Sequence, residues 1–350
     1  MSQALGYAAA EAGAPLAPFT FERRELREND VAMRVLYCGV CHSDLHQARN
    51  DWHNTTFPCV PGHEIVGEVT AVGADVTKVK PGDKAAIGCL VDSCQTCSPC
   101  DHGLEQYCEN HATATYNGHD RQTGEITYGG YSDQIVAREE FVLTVPDNLD
   151  LERAAPLLCA GITTWSPLRH WNAGPGKRVA VAGLGGLGHM AVKLAVALGA
   201  EVTVVTTSRS KAADARALGA HDVLISTDAD AMAAARNRFD IVIDTIPVSH
   251  DVAPYLGITA LDGATVVVGA IGMLPSLHTG MLLMGRKTLA GSIIGGIKET
   301  QEMLDFCAEH GVLPDCETIQ IKEINHAFER MERSDVKYRF VIDMASLSAD

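Results

Sequence analysis

Four cysteines stand close together in the first third of the chain, and their spacing indicates a metal site. They are Cys94, Cys97, Cys100 and Cys108. Four thiolates on one short loop can complete the tetrahedral shell of a single Zn²⁺ ion, and such a closed site is structural because it leaves no position open for a substrate. Two disulfides are the alternative interpretation. We favour zinc because the sequence shows no secretion signal and the other cysteines form no paired framework.

A second group of residues has the composition of an open metal site. Residues 41–46 and 62–64 contain Cys41 and His63, which are two candidate ligands. A catalytic zinc needs three protein ligands and a vacant position, so a third ligand must come from elsewhere, and Cys159 lies where the two predicted domains meet. Taken singly, each residue has an ordinary alternative. A buried cysteine is usually inert core, and a lone histidine is usually a satisfied side chain.

A glycine-rich segment lies between a predicted strand at 178–182 and a predicted helix at 187–198. In this context such a turn binds the pyrophosphate of a dinucleotide, because backbone N–H groups and the positive end of the helix dipole face the anion. An ordinary glycine-rich loop is the alternative. The predicted contacts are Gly183, Leu184, Gly185, Gly186, Leu187 and Gly188.

The end of the next predicted strand, at 201–206, selects the dinucleotide. NAD sites usually place an acidic residue there, ~20 residues after the glycines, to bind the ribose 2′-OH. This chain instead has Thr206, Thr207, Ser208, Arg209 and Lys211. Hydroxyls and cations suit a 2′-phosphate, so we predict NADP(H). The alternative is that both cations are solvated charges at a helix start, where the dipole disfavours them unless an anion is present.

Two sequence patterns indicate the elements that must position these residues. Up to about residue 155, short β-like runs separated by Gly and Pro turns are found at 31–37, 65–72, 84–87 and 131–136. Apolar strands then alternate with Ala-rich helices at 178–182, 187–198, 201–206, 210–218, 240–244 and 264–269, which is typical of a parallel sheet wrapped by helices. After residue 291 we predict a helix at 298–310 and strands at 319–324 and 338–344. We therefore expect a catalytic domain at 1–158, a cofactor domain at 159–294, and a return to the catalytic domain at 295–350.

Composition excludes several classes of function. The 350 residues are 46 % hydrophobic and 21 % charged, as in globular proteins, and no apolar run reaches the ~18–20 residues of a membrane span. The net charge of −16 argues against nucleic acid or an anionic membrane as a partner. We expect a cytoplasmic protein, because a reducing compartment keeps its eleven cysteines as thiols or metal ligands.

Taken together, the motifs resemble the zinc-dependent medium-chain alcohol dehydrogenases, and are most similar to their cinnamyl alcohol dehydrogenase branch. The resemblance covers essentially the whole chain. It depends on Gly-Val-Cys-His-Ser-Asp-Leu-His at 39–46, Pro-Gly-His-Glu-Ile-Val-Gly at 61–67, the four-cysteine segment, Cys159, and the glycines of 183–188. It implies an α/β protein with a GroES-like, β-rich catalytic domain and a Rossmann cofactor domain with a doubly wound parallel sheet.

The resemblance also implies roles for individual residues. Cys41, His63 and Cys159 would be the catalytic zinc ligands, Glu64 an occasional fourth ligand, and Asp44 the hydrogen-bond partner that fixes the imidazole of His63. The four-cysteine segment would hold a second zinc. The cofactor contacts that it adds are Ser43, Thr163, Thr245, Gly269, Ser292 and Ile294.

The implied reaction is hydride transfer between NADPH and an aldehyde, in which zinc polarises the carbonyl oxygen. Ser43 would give the proton that the product oxygen needs, and the proton would come from solvent through His46 and the nicotinamide ribose. With NADP(H) as the cofactor, we expect mainly aldehyde reduction, of aromatic or medium-chain aliphatic substrates. Trp52 and residues 116–128 are expected to border the substrate pocket, although for Trp52 local packing is an equal alternative.

The resemblance further implies a homodimer built by edge pairing of the cofactor domains. Two other functions fit the same fold: an NADPH quinone or enone reductase, and a dinucleotide-binding protein without catalysis. Neither needs the candidate ligands Cys41, His63 and Cys159, so the sequence favours the zinc enzyme.

Overall fold

The computed structural model describes residues 2–269 and 272–348. The chain divides into two compact units. The first unit contains the residues up to Cys159 and those from Gly295 onward, and the second unit is Ala160–Ile294. Cys159 thus belongs to the same unit as Cys41 and His63, whereas the cofactor domain predicted from the sequence begins at Cys159.

Stretches of the chain that are rich in strands alternate with stretches that are rich in helices. In chain order the strands are β1 Ser2–Ala8, β2 Ala17–Arg23, β3 Asp30–Val40, β4 Ile65–Val72, β5 Lys84–Ile87, β6 Leu90–Asp92, β7 Thr113–Ala114, β8 Gln134–Arg138, β9 Leu143–Thr144, β10 Arg178–Ala182, β11 Glu201–Thr206, β12 Asp222–Ile225, β13 Phe239–Asp244, β14 Thr259–Val267, β15 Thr288–Gly291, β16 Cys316–Gln320 and β17 Arg339–Asp343. The α-helices are α1 His42–Arg49, α2 Ser98–Asp101, α3 Leu151–Ala154, α4 Ala160–His170, α5 Gly186–Ala197, α6 Ala212–Ala217, α7 Ala229–Ala234, α8 Ala253–Ile258, α9 Gly280–Leu283, α10 Ile297–His310 and α11 Ile324–Glu332. Short 3₁₀ helices cover Glu105–Tyr107, Glu139–Phe141, Ala155–Leu158, Arg209–Lys211, Ile321–Glu323 and Met344–Ser346.

The first unit is built on a mainly antiparallel sheet. Its strand order is β16-β17-β3-β4-β5-β9, and β8 also pairs with β3. Only β16 and β17 pair in parallel among the described strands of this sheet. The core beneath the sheet contains Met33, Ile65, Tyr131 and Phe340, each of which is fully buried. This β-rich architecture confirms the predicted GroES-like fold.

The second unit is built on a parallel sheet with the order β12-β11-β10-β13-β14-β15. Strands β10, β11 and β13 are buried along nearly their whole length, as expected when helices cover both faces of a sheet. The strand order reverses between β10 and β13, so the crevice where dinucleotides bind in doubly wound sheets opens at their carboxyl ends. This arrangement confirms the predicted Rossmann fold.

The predicted elements differ from the structure at several boundaries, as in the strand predicted at 131–136, which is β8 at Gln134–Arg138, and most clearly near the end of the chain. Four predicted strands agree with the structure residue for residue, namely β4, β5, β10 and β11. The strand predicted at 319–324 is wrong after Gln320, because β16 ends there and a 3₁₀ turn leads into α11. Helix α11 was not predicted at all. Its buried residues Ile324, Ala327, Phe328 and Met331 follow a helical period, which the preceding β-branched residues obscured. No helix among the described residues has the length and apolarity needed to cross a membrane.

Candidate active site

The four-cysteine segment forms a compact sulfur cluster. The sulfur of Cys97 lies 3.5 Å from that of Cys100 and 3.9 Å from that of Cys108, and the sulfurs of Cys94 and Cys100 are 4.0 Å apart. A tetrahedral zinc site with Zn–S bonds of ~2.3 Å has sulfur–sulfur edges of about 3.8 Å, whereas a disulfide has an S–S bond of ~2.05 Å. All eleven cysteines are free. The geometry fits a metal ion and excludes the disulfide alternative for this segment.

The surroundings of this cluster favour a thiolate at Cys94, whereas burial raises the pKa of the Cys100 thiol to about 12. The backbone N–H groups of Cys94 and Glu109 donate to the sulfurs of Cys108 and Cys97, at 3.5 and 3.4 Å. Hydrogen bonds, the strongest from Asn110, lower the pKa of Cys94 to about 5. Donors that point at sulfur stabilise its charged form, which is the form that binds metal.

The second cluster brings together residues that are far apart in the chain. Cys41 immediately precedes α1, His63 and Glu64 immediately precede β4, and Cys159 follows the 3₁₀ helix Ala155–Leu158. One ligand atom from each of these four buried residues lies within 4.8 Å of the others. The sulfurs of Cys41 and Cys159 are 3.9 Å apart. A set of two sulfurs, one imidazole and one carboxylate around a common centre is a zinc-type donor set.

Asp44 fixes His63 within this cluster. Its carboxylate accepts hydrogen bonds from the backbone N–H groups of Cys41 at 2.9 Å and Gly62 at 3.1 Å, and from the Tyr131 hydroxyl at 3.0 Å. Nδ1 of His63 lies 3.1 Å from Oδ1 of Asp44, so we assign the ring proton to Nδ1. Nε2 of His63 is buried without a hydrogen-bond partner among the described residues, and its lone pair is free for a metal.

A buried ion pair lies beside the ligands. Arg339, at the start of β17, donates to Oε1 of Glu64, and both side chains are almost fully buried. Oε2 of Glu64 has no partner among the described residues. Burial raises the pKa of Glu64 to about 7, against the opposing effect of Arg339. The carboxylate therefore combines one oxygen held by a cation with one oxygen free to bind a metal.

The two cysteines of the second cluster shift each other's pKa in opposite directions. Hydrogen bonding from the Cys159 thiol lowers the pKa of Cys41 well below its usual range. The same contact with Cys41, together with Cys89, raises the pKa of Cys159. Metal binding at cysteine releases thiol protons, so a divalent cation bound here would displace the proton of this contact.

Helix α1 carries the residues predicted to move protons. Oγ of Ser43 lies 3.6 Å from the sulfur of Cys41. His46, three residues further on, is partly exposed and its Nδ1 lies 2.8 Å from Oδ2 of Asp51. The ring of Trp52 lies 5.6 Å from that of His46, so Trp52 packs locally against this histidine, as its alternative interpretation expects.

The glycine-rich turn has the expected geometry in the second unit. Gly183 has φ +93°, and Gly185 caps the amino end of α5. A Cβ at Gly188 would lie only 2.3 Å from the carbonyl oxygen of Gly183, so a side chain there would force the helix away from the strand. The backbone therefore approaches closely enough to bind a pyrophosphate at the helix terminus, and the alternative of an ordinary loop is disfavoured.

The predicted phosphate-binding residues follow β11. Thr206 is buried and its Oγ1 accepts from the backbone N–H of Ser208 at 3.3 Å. Lys211 donates from Nζ to the carbonyl of Leu184 at 3.3 Å, within the glycine-rich turn. The side chain of Arg209 is 81 % exposed and lies 3.5 Å from Asp228. Thr207 is exposed beside them. Both cations thus lie at the carboxyl edge of the sheet.

The remaining predicted cofactor contacts of the second unit lie at the same edge, apart from Thr163, which is buried in α4. Thr245 follows β13 and donates from Oγ1 to the carbonyl of Ala182 at 2.8 Å. Gly269 follows β14, and its N–H donates to the carbonyl of Asp244 at 3.2 Å. Ser292 follows β15, and Ile294 ends the unit with φ +38°.

Sequence reasoning missed three residues around the second cluster. They are Tyr131, Arg339 and Cys89, whose thiol contacts the Cys159 thiol. Tyr116, whose ring centroid lies 5.6 Å from that of His63, lies in the segment 116–128 that the sequence places beside the substrate pocket. One signal was available, because Arg339 is the only cation of a strand that is apolar up to Asp343, and a buried cation needs a partner. Tyr131 and Cys89 carry no such signal in the sequence.

Family models match both units of the chain. A model described as "Alcohol dehydrogenase GroES-like domain" matches residues 27–147, and one described as "Zinc-binding dehydrogenase" matches residues 186–309. Together with the relatives described next, they show that the chain belongs to the zinc-binding alcohol dehydrogenases of the medium-chain dehydrogenase/reductase family, in the branch of the cinnamyl alcohol dehydrogenases.

Similar proteins cover almost the whole chain. Aldehyde reductase YahK of Escherichia coli is 53 % identical over 336 residues, which are 95 % of this chain and 96 % of that protein. NADP-dependent alcohol dehydrogenase C 1 of Mycolicibacterium smegmatis is 52 % identical over 348 residues, which are 99 % of each chain. Among solved structures, a cinnamyl alcohol dehydrogenase of Sorghum bicolor has a TM-score of 0.96 at 45 % identity, with 100 % of this chain and 99 % of that chain covered. The enzyme from Helicobacter pylori in complex with NADP(H) has a TM-score of 0.92 at 39 % identity and 99 % coverage of both chains.

Proposed function

We propose that the protein is an NADP(H)-dependent zinc alcohol dehydrogenase that interconverts aldehydes and primary alcohols and acts mainly as an aldehyde reductase. The observation that carries this proposal is the buried cluster of Cys41, His63, Glu64 and Cys159, whose ligand atoms lie within 4.8 Å of one another. Relatives that are about half identical over almost the whole chain have names that state the same chemistry.

The residues of the two clusters fit two zinc ions. In the second cluster, the unpartnered atoms His63 Nε2 and Glu64 Oε2 are buried acceptors that a cation would satisfy. We assign Cys41, His63 and Cys159 as the catalytic ligands and Glu64 as an occasional fourth ligand. The four sulfurs of the first cluster would hold a structural zinc. A zinc ion bound to the catalytic ligands would supply a Lewis acid that polarises the substrate carbonyl.

We assign the proton chemistry to helix α1. Ser43 would donate its hydroxyl proton to the oxygen of the reduced product, and its position beside Cys41 supports this role. His46 would restore that proton from solvent, and its partial exposure and its contact with Asp51 support a shuttle at the surface. NADPH would supply the hydride.

We infer that the second unit binds NADP(H), which makes Ala160–Ile294 the cofactor domain and the first unit the catalytic domain, within one residue of the predicted division into 1–158, 159–294 and 295–350. The glycine-rich turn would bind the pyrophosphate. Arg209 and Lys211, with the hydroxyls of Thr206 and Ser208, would bind the 2′-phosphate. The exposure of Arg209 supports this role, because its only ion pair among the described residues is a long one with Asp228 at 3.5 Å, which a phosphate at the helix start can replace.

The substrates that fit the proposal are aromatic or medium-chain aliphatic aldehydes. Two observations support an apolar pocket: the Tyr116 ring beside His63 and the Trp52 ring beside His46. We also propose a homodimer in the cytoplasm without a nucleic-acid or membrane partner, in keeping with the net charge of −16.

The rival functions have less support. A quinone or enone reductase, or a dinucleotide-binding protein without catalysis, would not require a buried donor set with unpartnered acceptors. Keeping such a set without a cation costs free energy, because each unsatisfied buried polar atom costs roughly 1–3 kcal/mol.

A combined metal and activity experiment tests the proposal. Protein prepared without chelator is analysed for zinc and assayed with NADPH against aromatic and aliphatic aldehydes, enones and quinones. We expect about two zinc ions per chain and aldehyde reduction that Cys41→Ser abolishes while one zinc remains. Zinc-free protein, or enone reduction that survives Cys41→Ser, would contradict the proposal.

A further inference from the structure

A buried carboxylate and a histidine form a closed pair at the end of β13. Nε2 of His250 lies 2.8 Å from Oδ2 of Asp244, which is fully buried, and Nδ1 of the same ring lies 2.8 Å from the carbonyl oxygen of Val248. Oδ1 of Asp244 accepts from the backbone N–H of Ile246 at 3.2 Å. The pair therefore holds residues 245–252, which connect β13 to α8, against the end of the strand. We call this hydrogen-bonded arrangement the closed form and these residues the closed segment.

The hydrogen-bond partners fix the number of protons on this pair. A carbonyl oxygen can only accept, so Nδ1 must carry a hydrogen. Nε2 and the carboxylate can make a hydrogen bond only when a further proton lies between them, on either atom. The closed pair thus holds one proton more than a neutral imidazole and a carboxylate. Without that proton, two lone pairs would face each other at 2.8 Å.

The surroundings of the pair favour the protonated form of Asp244. Burial raises the pKa of Asp244, against a smaller opposing effect of His250. Tyr255 on α8 packs its ring against His250 at 5.6 Å, and burial raises the pKa of that phenol to about 12, so it stays neutral. Asp251 follows His250 and accepts from the backbone N–H of Ala253 at 2.9 Å. The neighbouring strand ends, at 182–183 and 267–269, carry no titratable side chain.

The closed segment borders the crevice of the parallel sheet. Asp244 is the last residue of β13, which neighbours β10 where the strand order reverses. Thr245 follows it directly, and its Oγ1 would lie 2.8 Å from a Cβ at Gly183, in the glycine-rich turn. A Cβ at Gly269 would lie 2.4 Å from the carbonyl carbon of Thr245. A shift of the segment after Asp244 must therefore displace the backbone that faces the dinucleotide crevice.

We propose that His250 and Asp244 act as positioning residues for NADP(H), and that the proton they share couples cofactor affinity to pH. This inference rests on the proposed binding of NADP(H) at this sheet edge. The closed segment holds Thr245 and Gly269 in the geometry that binds the dinucleotide. Because the closed form binds the extra proton, it is favoured at low pH and is lost as the pH rises. NADPH should then bind more weakly at high pH.

The test measures the Kd of NADPH for the full-length protein, without substrate, from about pH 7 to about pH 9.5, where the 2′-phosphate stays largely ionised because its second pKa is about 6. We expect the wild-type Kd to rise about tenfold over this range. Asp244→Asn separates positioning from titration. Its amide oxygen can accept from Ile246 and its amide N–H can donate to Nε2 of His250, so the affinity should stay near that of the wild type at pH 7 and no longer change with pH.

Two further variants complete the test. His250→Phe keeps a ring against Tyr255 but removes both hydrogen bonds, so NADPH should bind about tenfold more weakly at pH 7, with little change with pH. The matched control is His221→Phe. Nδ1 of His221 accepts from the backbone N–H of Val202 at 3.0 Å at the opposite sheet edge, so its loss should leave the affinity and its pH dependence unchanged.

The outcomes separate this inference from the proposed function. A wild-type protein that binds no NADPH at any pH would refute the proposed function and the inference with it. Wild-type protein that binds NADPH while Asp244→Asn and His250→Phe keep the wild-type affinity and slope would refute the inference alone. If Asp244→Asn does not fold, the comparison of His250→Phe with His221→Phe still decides the question.

Discussion

Ser43 lies two residues after Cys41 on the first turn of α1, and its hydroxyl is the polar group that we assign to protonation of the product. Ser43→Ala should lower kcat by about a hundredfold or more, since a positioned proton donor contributes ~10²–10⁴ to a rate. The Kd of NADPH should barely change. Steady-state kinetics and a binding titration check both expectations.

The control for this prediction is Ser43→Thr, which retains a hydroxyl and should keep most of the activity. His46→Gln should be milder than Ser43→Ala and should change the pH profile, because water can replace a distal shuttle. Nearly wild-type turnover in Ser43→Ala would mean that the proton takes another route.

Arg209 and Lys211 are the cations that we assign to the 2′-phosphate. A hydrogen bond to a charged group contributes ~1.5–3 kcal/mol, so two of them should favour NADPH over NADH roughly a hundredfold in kcat/KM. Thr206→Asp combined with Arg209→Ala should reverse the preference, because a carboxylate repels the phosphate and accepts from the ribose hydroxyl. Arg216→Ala, which removes an exposed cation further along α6, is the control and should retain the preference. Equal use of both cofactors by the wild type would refute the assignment.

At the residue scale, the sequence predicts those functional residues that lie close together along the chain with a characteristic spacing. The four cysteines at 94–108 lie close enough in sequence for their metal chemistry to be read directly. The contacts that hold the second cluster are different, because Tyr131 reaches Asp44 across 87 residues and Arg339 reaches Glu64 across 275. Such contacts follow from the sheet topology, which no local pattern specifies.

The packing of helix α5 against β10 depends on the absence of a side chain at Gly188. Gly188→Ala would place a Cβ 2.3 Å from the carbonyl oxygen of Gly183, so the helix must move away from β10 and the pyrophosphate site must open. We expect the Kd of NADPH to rise at least about tenfold, with the zinc content unchanged. Gly257→Ala is the control within the same unit, because a Cβ there meets no atom within 4 Å. Retained NADPH affinity in Gly188→Ala would show that the turn does not bind the cofactor.

The four-cysteine segment stabilises another element. Glu105, within this segment, accepts at Oε2 from the backbone N–H of Ile297 at 2.9 Å and so caps the amino end of α10. Cys100→Ser should remove one zinc per chain and lower the melting temperature, since a closed metal site contributes directly to folding. Catalytic zinc should remain.

The comparison for Cys100→Ser is Cys307→Ser, which alters a buried cysteine of α10 outside both clusters. This variant should retain both zinc ions whatever its stability. Loss of both zinc ions from Cys100→Ser, or of neither, would contradict two separate sites.

At the scale of elements, the sequence predicts strands with a uniform apolar pattern, such as β10 and β11. It does not predict α11, because a run of β-branched residues precedes the helical pattern.

At the scale of the whole molecule, the change of sequence pattern near residue 156 reflects a change of architecture. The short β-like runs of the first unit become an antiparallel sheet, and the alternating strands and helices of the second unit become a parallel one. Hydrophobic periodicity distinguishes the two sheets because strands buried on both faces are continuously apolar. It does not predict which side chains come together at a site.

The second unit also carries the features expected of an oligomer interface. Strand β15 is the last strand of its sheet and pairs with β14. Just before it, Leu283 and Met284 are 75 % and 90 % exposed, which is unusual for large apolar residues on a free surface. An edge strand beside exposed apolar side chains favours pairing with a second copy of the chain.

If this edge forms the dimer, Leu283→Glu combined with Met284→Glu should dissociate it, because symmetry would bring like charges together in a buried interface at a cost of several kcal/mol. Light scattering coupled to gel filtration should give twice the chain mass of 37.3 kDa for the wild type and a single chain mass for the variant. Leu26→Glu, at an exposed position of the first unit, is the control and should remain dimeric. A dimer that survives both charges must use another surface, and a wild-type monomer would refute the proposed homodimer itself.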